Sequence, residues 1–317
     1  MPPTHEAVRD PPNSADGELS VLIQQLRYLD ALAQEEHFAR AAERCGVSQP
    51  TLSAALKQLE DELGVALVER GNRFRGFTAE GKIVLHWARR MLDDERSMRQ
   101  ETSAQRGALR GTLRLGVIPS ANAIVPPLTT SFVIAHPDVE IDETETTSND
   151  IRRRLSAFEL DAGITYIDNE PLEHVRTLPI AKERYVIAMP ADSPLAELAT
   201  VTWKQAATLP LCLLEPGMQN RRIVDGAFAS VGVTPQVRFE AGSMMAKLSY
   251  LASGTVSSIM PSSLEPWLRR IDGVRVAPLV EPDISHTIGL VIEERQPVPT
   301  LIEAFWSHVA ASTHQPP

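Results

Sequence analysis

The stretch FARAAERCGVSQPTLSAALKQLEDELG, from Phe38 to Gly64, decides the fold of the N-terminal part of this chain. It predicts two short amphipathic helices joined by a tight turn at Gly46-Val47, where glycine adopts a positive φ at little cost. Ser48 is a typical N-cap residue. Pro50 fits the first turn of the helix, because the N–H that proline lacks would have no intrahelical partner there. Four leucines at helical spacing predict one buried face of the second helix: Leu52, Leu56, Leu59 and Leu63.

The opposite face of the second helix carries short polar side chains and one lysine. Donors and acceptors of this kind read base edges when a helix enters the major groove of DNA. We therefore predict DNA contacts at Ser48, Gln49, Pro50, Thr51, Ser53 and Lys57. This stretch alone leaves one alternative open, which is an ordinary helical hairpin with a solvated face.

The residues just downstream favour the DNA-binding interpretation. The segment GNRFRGFTAEG, residues 71–81, combines glycines and basic residues that suit a small β-wing, and Thr78 can cap a following helix. We expect Arg70, Arg73 and Arg75 to neutralise phosphates, which supplies affinity without sequence preference.

The run AAERCGVSQPTLSAALKQLEDELGVALVERGNRFRGFTAEG resembles the winged helix-turn-helix of LysR-type bacterial transcriptional regulators. The shared features are an alanine pair at 41–42, Ser-Gln-Pro at 48–50, Leu-Glu at 59–60, Leu-Gly at 63–64 and Thr-x-x-Gly at 78–81. Val68 departs from the usual phenylalanine, and Gly76 stands where many members carry a basic residue. The resemblance extends over most of the chain in length and in order of elements.

The resemblance implies a function and a set of partners. It implies a sequence-specific transcriptional regulator that binds double-stranded promoter DNA, responds to a small-molecule effector and forms a homo-oligomer built as a dimer of dimers. RNA polymerase is left open as a further partner. No cofactor is expected.

Composition agrees with a cytoplasmic DNA-binding protein. The net charge is −10, but residues 37–110 hold 13 basic and 10 acidic residues, so the positive part coincides with the predicted reading surface. We expect no transmembrane segment and no signal peptide, and we expect residues 1–18 to form a disordered tail. Cys45 and Cys212 lie in different predicted domains, so neither a disulfide framework nor a metal site is expected.

Residues 82–108 form a predicted linker helix with one apolar stripe. The stripe consists of Val84, Trp87, Met91 and Met98, at spacings of three, four and seven residues. Pairing with a second copy would bury it, and packing against the body of the same chain is the alternative. The family resemblance implies dimerisation through this helix.

Strand-like and helical segments alternate after residue 111, which predicts parallel α/β sheets. The resemblance implies a two-lobed fold like that of periplasmic binding proteins, with the chain crossing between lobes near 165–168 and 260–263. The predicted domains are therefore a winged helix-turn-helix at 19–81, the linker helix at 82–108 and an effector domain at 112–308. Its first lobe holds 112–165 and 264–308, and its second holds 166–263.

Several predicted helices of this domain start with small hydroxyl and amide residues. Helix starts present unbonded N–H groups, so a cleft between lobes at these positions suits a small organic anion. The resemblance places Ser120, Asn122, Thr165, Gln219, Asn220 and Ser243 in the effector pocket. Ordinary N-caps are the alternative for each of them.

Two further classes of function fit the sequence less well. The chain has eight histidines but no metal-ligand spacing among them, no nucleophile elbow and no glycine-rich phosphate loop, so we expect no enzyme. A solute-binding protein without DNA activity is disfavoured by the predicted reading surface at 20–81.

Overall fold

The computed structural model describes residues 23–69, 74–104 and 109–313. The chain divides into two compact units, Met1–Leu92 and Asp93–Pro317. The predicted tail at 1–18 and the predicted phosphate contacts Arg70 and Arg73 lie outside the described residues.

The N-terminal unit contains the predicted helix pair. Its helices are α1 (Ile23–Glu35), α2 (Phe38–Arg44), α3 (Gln49–Leu63) and the first part of α4 (Ala79–Ala104). Leu52 and Leu59 of α3 are fully buried, and complete burial of one such side chain stabilises the fold by about 1.5–3 kcal/mol. A bridge between Val68 and Phe77 forms the base of the segment predicted as the wing.

Two caps fix the ends of the predicted recognition helix. The Ser48 side chain accepts a hydrogen bond from the Thr51 N–H at 3.3 Å, and Gly64 ends α3 with a φ of 67°. The Ser48 cap confirms the sequence prediction, because serine satisfies a free N–H, and Gly64 adopts the left-handed conformation without strain.

Helix α4 starts where the sequence predicts. The Thr78 hydroxyl accepts from the Gly81 N–H at 2.9 Å and donates to the Ala66 carbonyl at 2.6 Å. A Cβ at position 81 would lie 2.0 Å from the Leu67 carbonyl oxygen, so this contact requires glycine. The start of α4 is thus fixed by close packing as well as by its cap.

The apolar stripe of α4 differs by one residue from the prediction. Trp87, Met91 and Met98 are exposed, and so is Ile83, which precedes Trp87 by four residues. Val84 instead packs against the core of the N-terminal unit, on the same side as the buried Leu85 and Ala88. The four-residue spacing places Ile83, and not Val84, on the exposed face.

The C-terminal unit contains two sheets and a strand pair. Its strands are β1 (Gly111–Val117), β2 (Val139–Glu145), β3 (Ala162–Tyr166), β4 (Val175–Glu183), β5 (Tyr185–Pro190), β6 (Val201–Thr202), β7 (Pro210–Leu214), β8 (Gln236–Ala241), β9 (Ser258–Pro261), β10 (Val274–Val280) and β11 (His286–Glu293). Its own helices are α5 (Val125–Ala135), α6 (Ser148–Ser156), α7 (Trp203–Ala206), α8 (Gln219–Ser230), α9 (Met244–Ala252), α10 (Glu265–Leu268) and α11 (Thr300–Thr313). The strand orders are β2-β1-β3-β11-β4, β6-β10-β5-β9 and β7-β8.

The two larger sheets are mixed, which corrects the prediction of parallel sheets. Strand β11 runs antiparallel to both β3 and β4, and β5 runs antiparallel to both β9 and β10. Strand β4 was not predicted. It contains Pro179 and lies at the edge of its sheet, where a proline is tolerated but weakens the sequence signal.

The crossings between the lobes also differ from the prediction. Strands β3 and β4 share the first sheet and β5 begins the second, so the first crossing lies at Arg184 and not at 165–168. Strand β10 still belongs to the second sheet and β11 returns to the first, so the second crossing spans 281–285 and not 260–263. Lobe 1 therefore holds 111–183 and 286–313, and lobe 2 holds 185–280. The first predicted boundary is wrong because β4 was not predicted. The second is wrong because β10 pairs with β5 and so still belongs to the second sheet.

A buried ionic cluster anchors the second half of α4 in the C-terminal unit. Asp93 and Asp161 are buried and share Arg96 and Arg114, and Asp93 also pairs with Arg295. Arg114 Nη2 lies 2.7 Å from Asp161 Oδ1, and Arg96 Nη2 lies 3.0 Å from the same oxygen. Burial alone would raise the pKa of Asp161, but the hydrogen bonds and charges of the arginines outweigh it and lower that pKa.

Candidate DNA-reading surface and effector cleft

The predicted DNA contacts lie together at the start of α3 and along one of its faces. Ser48, Gln49, Pro50, Thr51 and Lys57 are exposed, and Ser53 is half-buried. The Ser48 hydroxyl is also 2.8 Å from the Thr51 hydroxyl, so both side chains take part in the cap. Arg75 is exposed after the wing segment. This surface offers donors, acceptors and positive charge from one helix start and its neighbouring loop.

A narrow cleft lies between the lobes of the C-terminal unit. It has a volume of about 220 Å³, including the open solvent at its mouth. Lobe 1 contributes the end of β1, the start of α6 and the end of β3, and lobe 2 contributes the end of β7 and the start of α8. The lining residues are Ile118, Pro119, Ser120, Thr147, Ser148, Tyr166, Leu214, Met218, Gln219 and Asn220.

Two helix starts in this cleft differ in how they are capped. The Thr147 side chain caps α6 by accepting from the Asp150 N–H at 3.1 Å. Met218 occupies the N-cap of α8 and makes no side-chain cap, because a thioether is a poor acceptor. The first N–H groups of α8 therefore have neither an intrahelical partner nor a side-chain cap.

Two buried polar atoms of the cleft wall have no hydrogen-bond partner within the described part of the chain. They are Nε2 of Gln219 and Oγ of Ser148, one on each lobe. Gln219 is 3% exposed and Ser148 is 5% exposed, so bulk water does not solvate them freely. Buried polar groups are normally paired, so these two atoms are unsatisfied donors or acceptors in the cleft wall.

The Tyr166 hydroxyl is the centre of a buried network behind the cleft. It lies 3.0 Å from the Ser120 hydroxyl, accepts from Asn220 Nδ2 at 2.9 Å and donates to Glu183 Oε1. Ser120 and Tyr166 belong to lobe 1, Asn220 belongs to lobe 2, and Glu183 is the last residue before the crossing. The network thus joins the two lobes directly.

Two buried ionisable groups belong to this region. Burial raises the pKa of Glu183 to about 7, and the hydrogen bond from Tyr166 and the charge of Lys247 only partly offset it. Burial also lowers the pKa of Lys247 to about 8, although the nearby Cys212 and Glu183 act in the opposite direction. Lys247 Nζ donates to the Ile259 carbonyl at 2.6 Å.

The structure brings three of the six predicted effector residues together in the cleft wall. Ser120, Gln219 and Asn220 line it. Asn122 instead donates to Glu145 Oε2 at 2.6 Å, and Ser243 caps α9 by accepting from the Ala246 N–H at 3.2 Å. Thr165 is buried within β3 and does not line the cleft.

Sequence reasoning missed four residues of this region. Thr147 and Ser148 belong to the run Thr-Ser-Asn-Asp after β2, a recognisable helix start that a search for N-caps would have found. Glu183 and Lys247 carry no local signal, because a charged residue in a strand or helix is normally exposed. Only the three-dimensional arrangement shows that both are buried.

Comparisons with known proteins agree with this architecture. The family model "Bacterial regulatory helix-turn-helix protein, lysR family" matches residues 23–82, and the model "LysR substrate binding domain" matches residues 106–313. The hydrogen peroxide-inducible genes activator of Escherichia coli O6:H1 is 32% identical over 281 residues, which cover 87% of this chain and 90% of the relative.

Two solved structures are similar along nearly their whole length. A full-length OxyR variant from Pseudomonas aeruginosa has a TM-score of 0.73 and 29% identity, covering 94% of this chain and 99% of that chain. Full-length CbnR in complex with its target DNA has a TM-score of 0.68 and 25% identity, covering 92% of this chain and 100% of that chain. No helix within the described ranges is long and apolar enough to cross a membrane.

Proposed function

We propose, from the premise that this chain belongs to the LysR family of bacterial regulatory proteins, that its effector is a small organic anion bound in the cleft between the lobes. The chain is a DNA-binding transcriptional regulator with an effector-binding domain. Our proposal adds three points to this family assignment: the chemistry of the effector, the residues that contact DNA, and the oligomer.

The start of α8 is the observation that carries the anion proposal. Its N–H groups point a partial positive charge at the cleft, and Met218 leaves them uncapped. Gln219 adds an unpartnered amide donor, and Ser148 adds a hydroxyl from the opposite lobe. A carboxylate bound here would accept hydrogen bonds from both lobes and would favour one arrangement of the lobes over others.

The experiment is a thermal-shift screen of the full-length protein with a panel of small mono- and dicarboxylates. We expect at least one to raise the melting temperature, and we expect Gln219→Leu to weaken its binding about tenfold or more, because a hydrogen bond to a charged group is lost. Gln236→Leu, at an exposed position on β8, is the matched control. Binding only of uncharged or cationic compounds would contradict the anion proposal.

For the DNA-reading surface, we propose base contacts by Gln49, Thr51, Ser53 and Lys57 of α3. Pro50 sets the helix start, and Ser48 acts chiefly through its cap. Arg75, together with Arg70 and Arg73, is proposed to contact phosphates. A gel shift on the DNA upstream of the protein's own gene tests this assignment. We propose that the regulator acts in the cytoplasm, where that DNA lies.

We propose that α4 forms a dimer interface in a homo-oligomer. Ile83, Trp87, Met91 and Met98 form an exposed apolar stripe along this 26-residue helix, and pairing with a second copy would bury it. Trp87→Glu combined with Met91→Glu should dissociate the dimer in sedimentation velocity while leaving both folded units intact. An unchanged sedimentation coefficient would mean that the stripe packs elsewhere.

We propose further that the effector signal does not pass through thiol oxidation, although a relative is named for induction by hydrogen peroxide. Reactive thiols have a low pKa and are accessible. The chain has two cysteines, and they lie in different units. Burial raises the pKa of both thiols, and Cys212 is fully buried in β7. Promoter output of a Cys45→Ser, Cys212→Ser variant should therefore match the wild type with and without peroxide.

A further inference from the structure

We propose that Glu183 is a proton-binding site at the crossing between the lobes, and that its protonated form stabilises the lobe arrangement seen here. The proposal deepens the proposed function, because it adds a proton as a second ligand of the effector cleft.

The carboxyl group of Glu183 is buried and has few hydrogen-bond donors around it. Oε1 accepts from Tyr166 and has a long contact of 3.5 Å with Asn220 Nδ2. Oε2 is buried and has no hydrogen-bond partner within the described residues. A buried carboxylate needs several donors to offset the loss of its hydration, and hydrogen bonding by Tyr166, Tyr185 and Ser120 offsets the effect of burial on its pKa only in part.

The charges around Glu183 do not supply that compensation either. Across the described ranges, no basic side chain forms an ion pair with it, and the Lys247 ammonium group donates instead to the Ile259 carbonyl. The titratable neighbours on the surrounding elements are Tyr166 of β3, Tyr185 of β5 and Lys247 of α9. His286 of β11 is the cross-strand partner of Glu183, and its ring centroid lies 6.1 Å from that of Tyr166. Both tyrosine pKa values are raised well above 10, so these hydroxyls stay neutral.

The position of Glu183 ties this proton to the arrangement of the lobes. Ser120 and Tyr166 reach it from lobe 1, whereas Asn220, Tyr185 and Lys247 approach from lobe 2. A separation of the lobes would break the Asn220–Tyr166 bond and admit water to the carboxyl group. Hydration would return its pKa toward the ordinary range near 4.5, so the separated state would release the proton near neutral pH.

The same step affects the effector. An ionised Glu183 would place a negative charge behind the cleft wall and repel an anion, whereas the protonated group removes that repulsion. The anionic effector and the proton therefore favour the same state, and each increases the affinity for the other.

The test uses a thiol reporter in the full-length protein, without any effector. Ser148→Cys places a nearly isosteric thiol in the buried cleft wall, and its rate of labelling by a maleimide, followed by mass spectrometry, reports lobe separation. Comparing this parent reporter with its Glu183→Gln variant at the same pH cancels the pH dependence of thiol reactivity. Ionisation favours separation once the pH exceeds the separated-state pKa near 4.5, and its effect levels off above the pKa near 7 of the arrangement seen here. We therefore expect the ratio of the parent rate to the variant rate to be about tenfold larger at pH 8 than at pH 6.

The control is Glu293→Gln in the same reporter background. Glu293 is another carboxyl of this unit with a raised pKa, caused by burial, but it lies outside the network, so this variant should follow the parent at both pH values. Equal rates for the parent and its Glu183→Gln variant at pH 8, or the same ratio at pH 6 and pH 8, would overturn the proposal. A failed carboxylate screen would contradict the anion proposal and leave this result unchanged.

A second measurement does not depend on any substitution at Glu183. Infrared difference spectra of the wild-type protein should contain the C=O band of a protonated buried carboxyl group at pH 6 that is lost at pH 8. If Glu183→Gln fails to fold, the absence of such a titrating band in the wild type overturns the proposal.

Discussion

The reading surface on α3 and the cleft of the C-terminal unit use the same kinds of polar side chain in opposite surroundings. On α3, the residues from Ser48 to Lys57 come from one short segment, and most are exposed. In the cleft wall and the network behind it, the polar residues are all buried and come from five separate segments: Ser120, Ser148, Tyr166, Glu183 and Asn220.

The difference separates two ways of building a binding site. An exposed polar residue on a helix is solvated before it binds, so its substitution changes affinity and leaves the fold unchanged. A buried polar residue supports its neighbours as well as a ligand, so its substitution also changes stability. Substitutions in the two regions should therefore have separable effects on stability and on binding.

The largest effect is expected at Asp161 in the C-terminal unit. Asp161→Ala removes one of two buried carboxylates from the cluster, so Arg96 and Arg114 keep only Asp93, which also pairs with Arg295. This should lower the free energy of unfolding by about 3–5 kcal/mol. Chemical denaturation at pH 7 measures this loss of free energy, and the exposed Asp142→Ala is the control.

The contribution of Asp161 also depends on pH. Because the pKa of Asp161 is lowered in the folded state, its stabilising contribution is present above the unfolded pKa near 3.8 and is lost as the pH falls through the folded value. A cost below about 1 kcal/mol would show that the cluster is not structural.

A smaller loss of stability is expected at the centre of the cleft network. Tyr166→Phe removes one hydroxyl and leaves Ser120, Glu183 and Asn220 without their common partner, at a cost of about 1–3 kcal/mol. Tyr250→Phe, which changes a half-exposed tyrosine stacked on Phe239, should change stability by less than about 0.5 kcal/mol. Equal unfolding midpoints for the two variants would mean that burial does not distinguish the regions.

The same contrast explains what the sequence could predict. The helix pair, its caps and the reading residues follow from short local patterns, because one helix carries them all. Ser120, Gln219 and Asn220 were predicted from helix starts and line the cleft. Ser243 was predicted by the same rule but caps α9 outside the cleft lining, because a helix start can face away from the cleft. Glu183 and the lobe crossings depend on which strands pair, and no local pattern specifies that.

On the reading surface, substitution should lower the affinity for DNA and leave the stability of the protein unchanged. Gln49→Ala should weaken specific binding by about 1–3 kcal/mol, the usual size of a base contact, at an unchanged unfolding midpoint. Gln58→Ala lies on the same helix, where its side chain bonds to Glu62, and should bind DNA like the wild type. Quantitative footprinting with specific and non-specific DNA measures both. A lower unfolding midpoint for Gln49→Ala would contradict the proposed difference between the two regions.

The smallest effect is expected at Ser48, where substitution should change both stability and DNA binding. It is exposed like a reading residue, yet its side chain caps α3, so Ser48→Ala should cost about 1 kcal/mol of stability in the N-terminal unit. Ser48→Asp keeps an acceptor for the Thr51 N–H and favours the helix dipole, so this variant should retain stability. Its negative charge next to phosphates should nevertheless weaken binding to any DNA sequence. Calorimetry and a salt titration of DNA binding measure the two effects separately. If Ser48→Asp binds DNA as tightly as the wild type, the start of α3 does not contact DNA. If Ser48→Ala has the melting temperature of the wild type, the cap contributes no measurable stability.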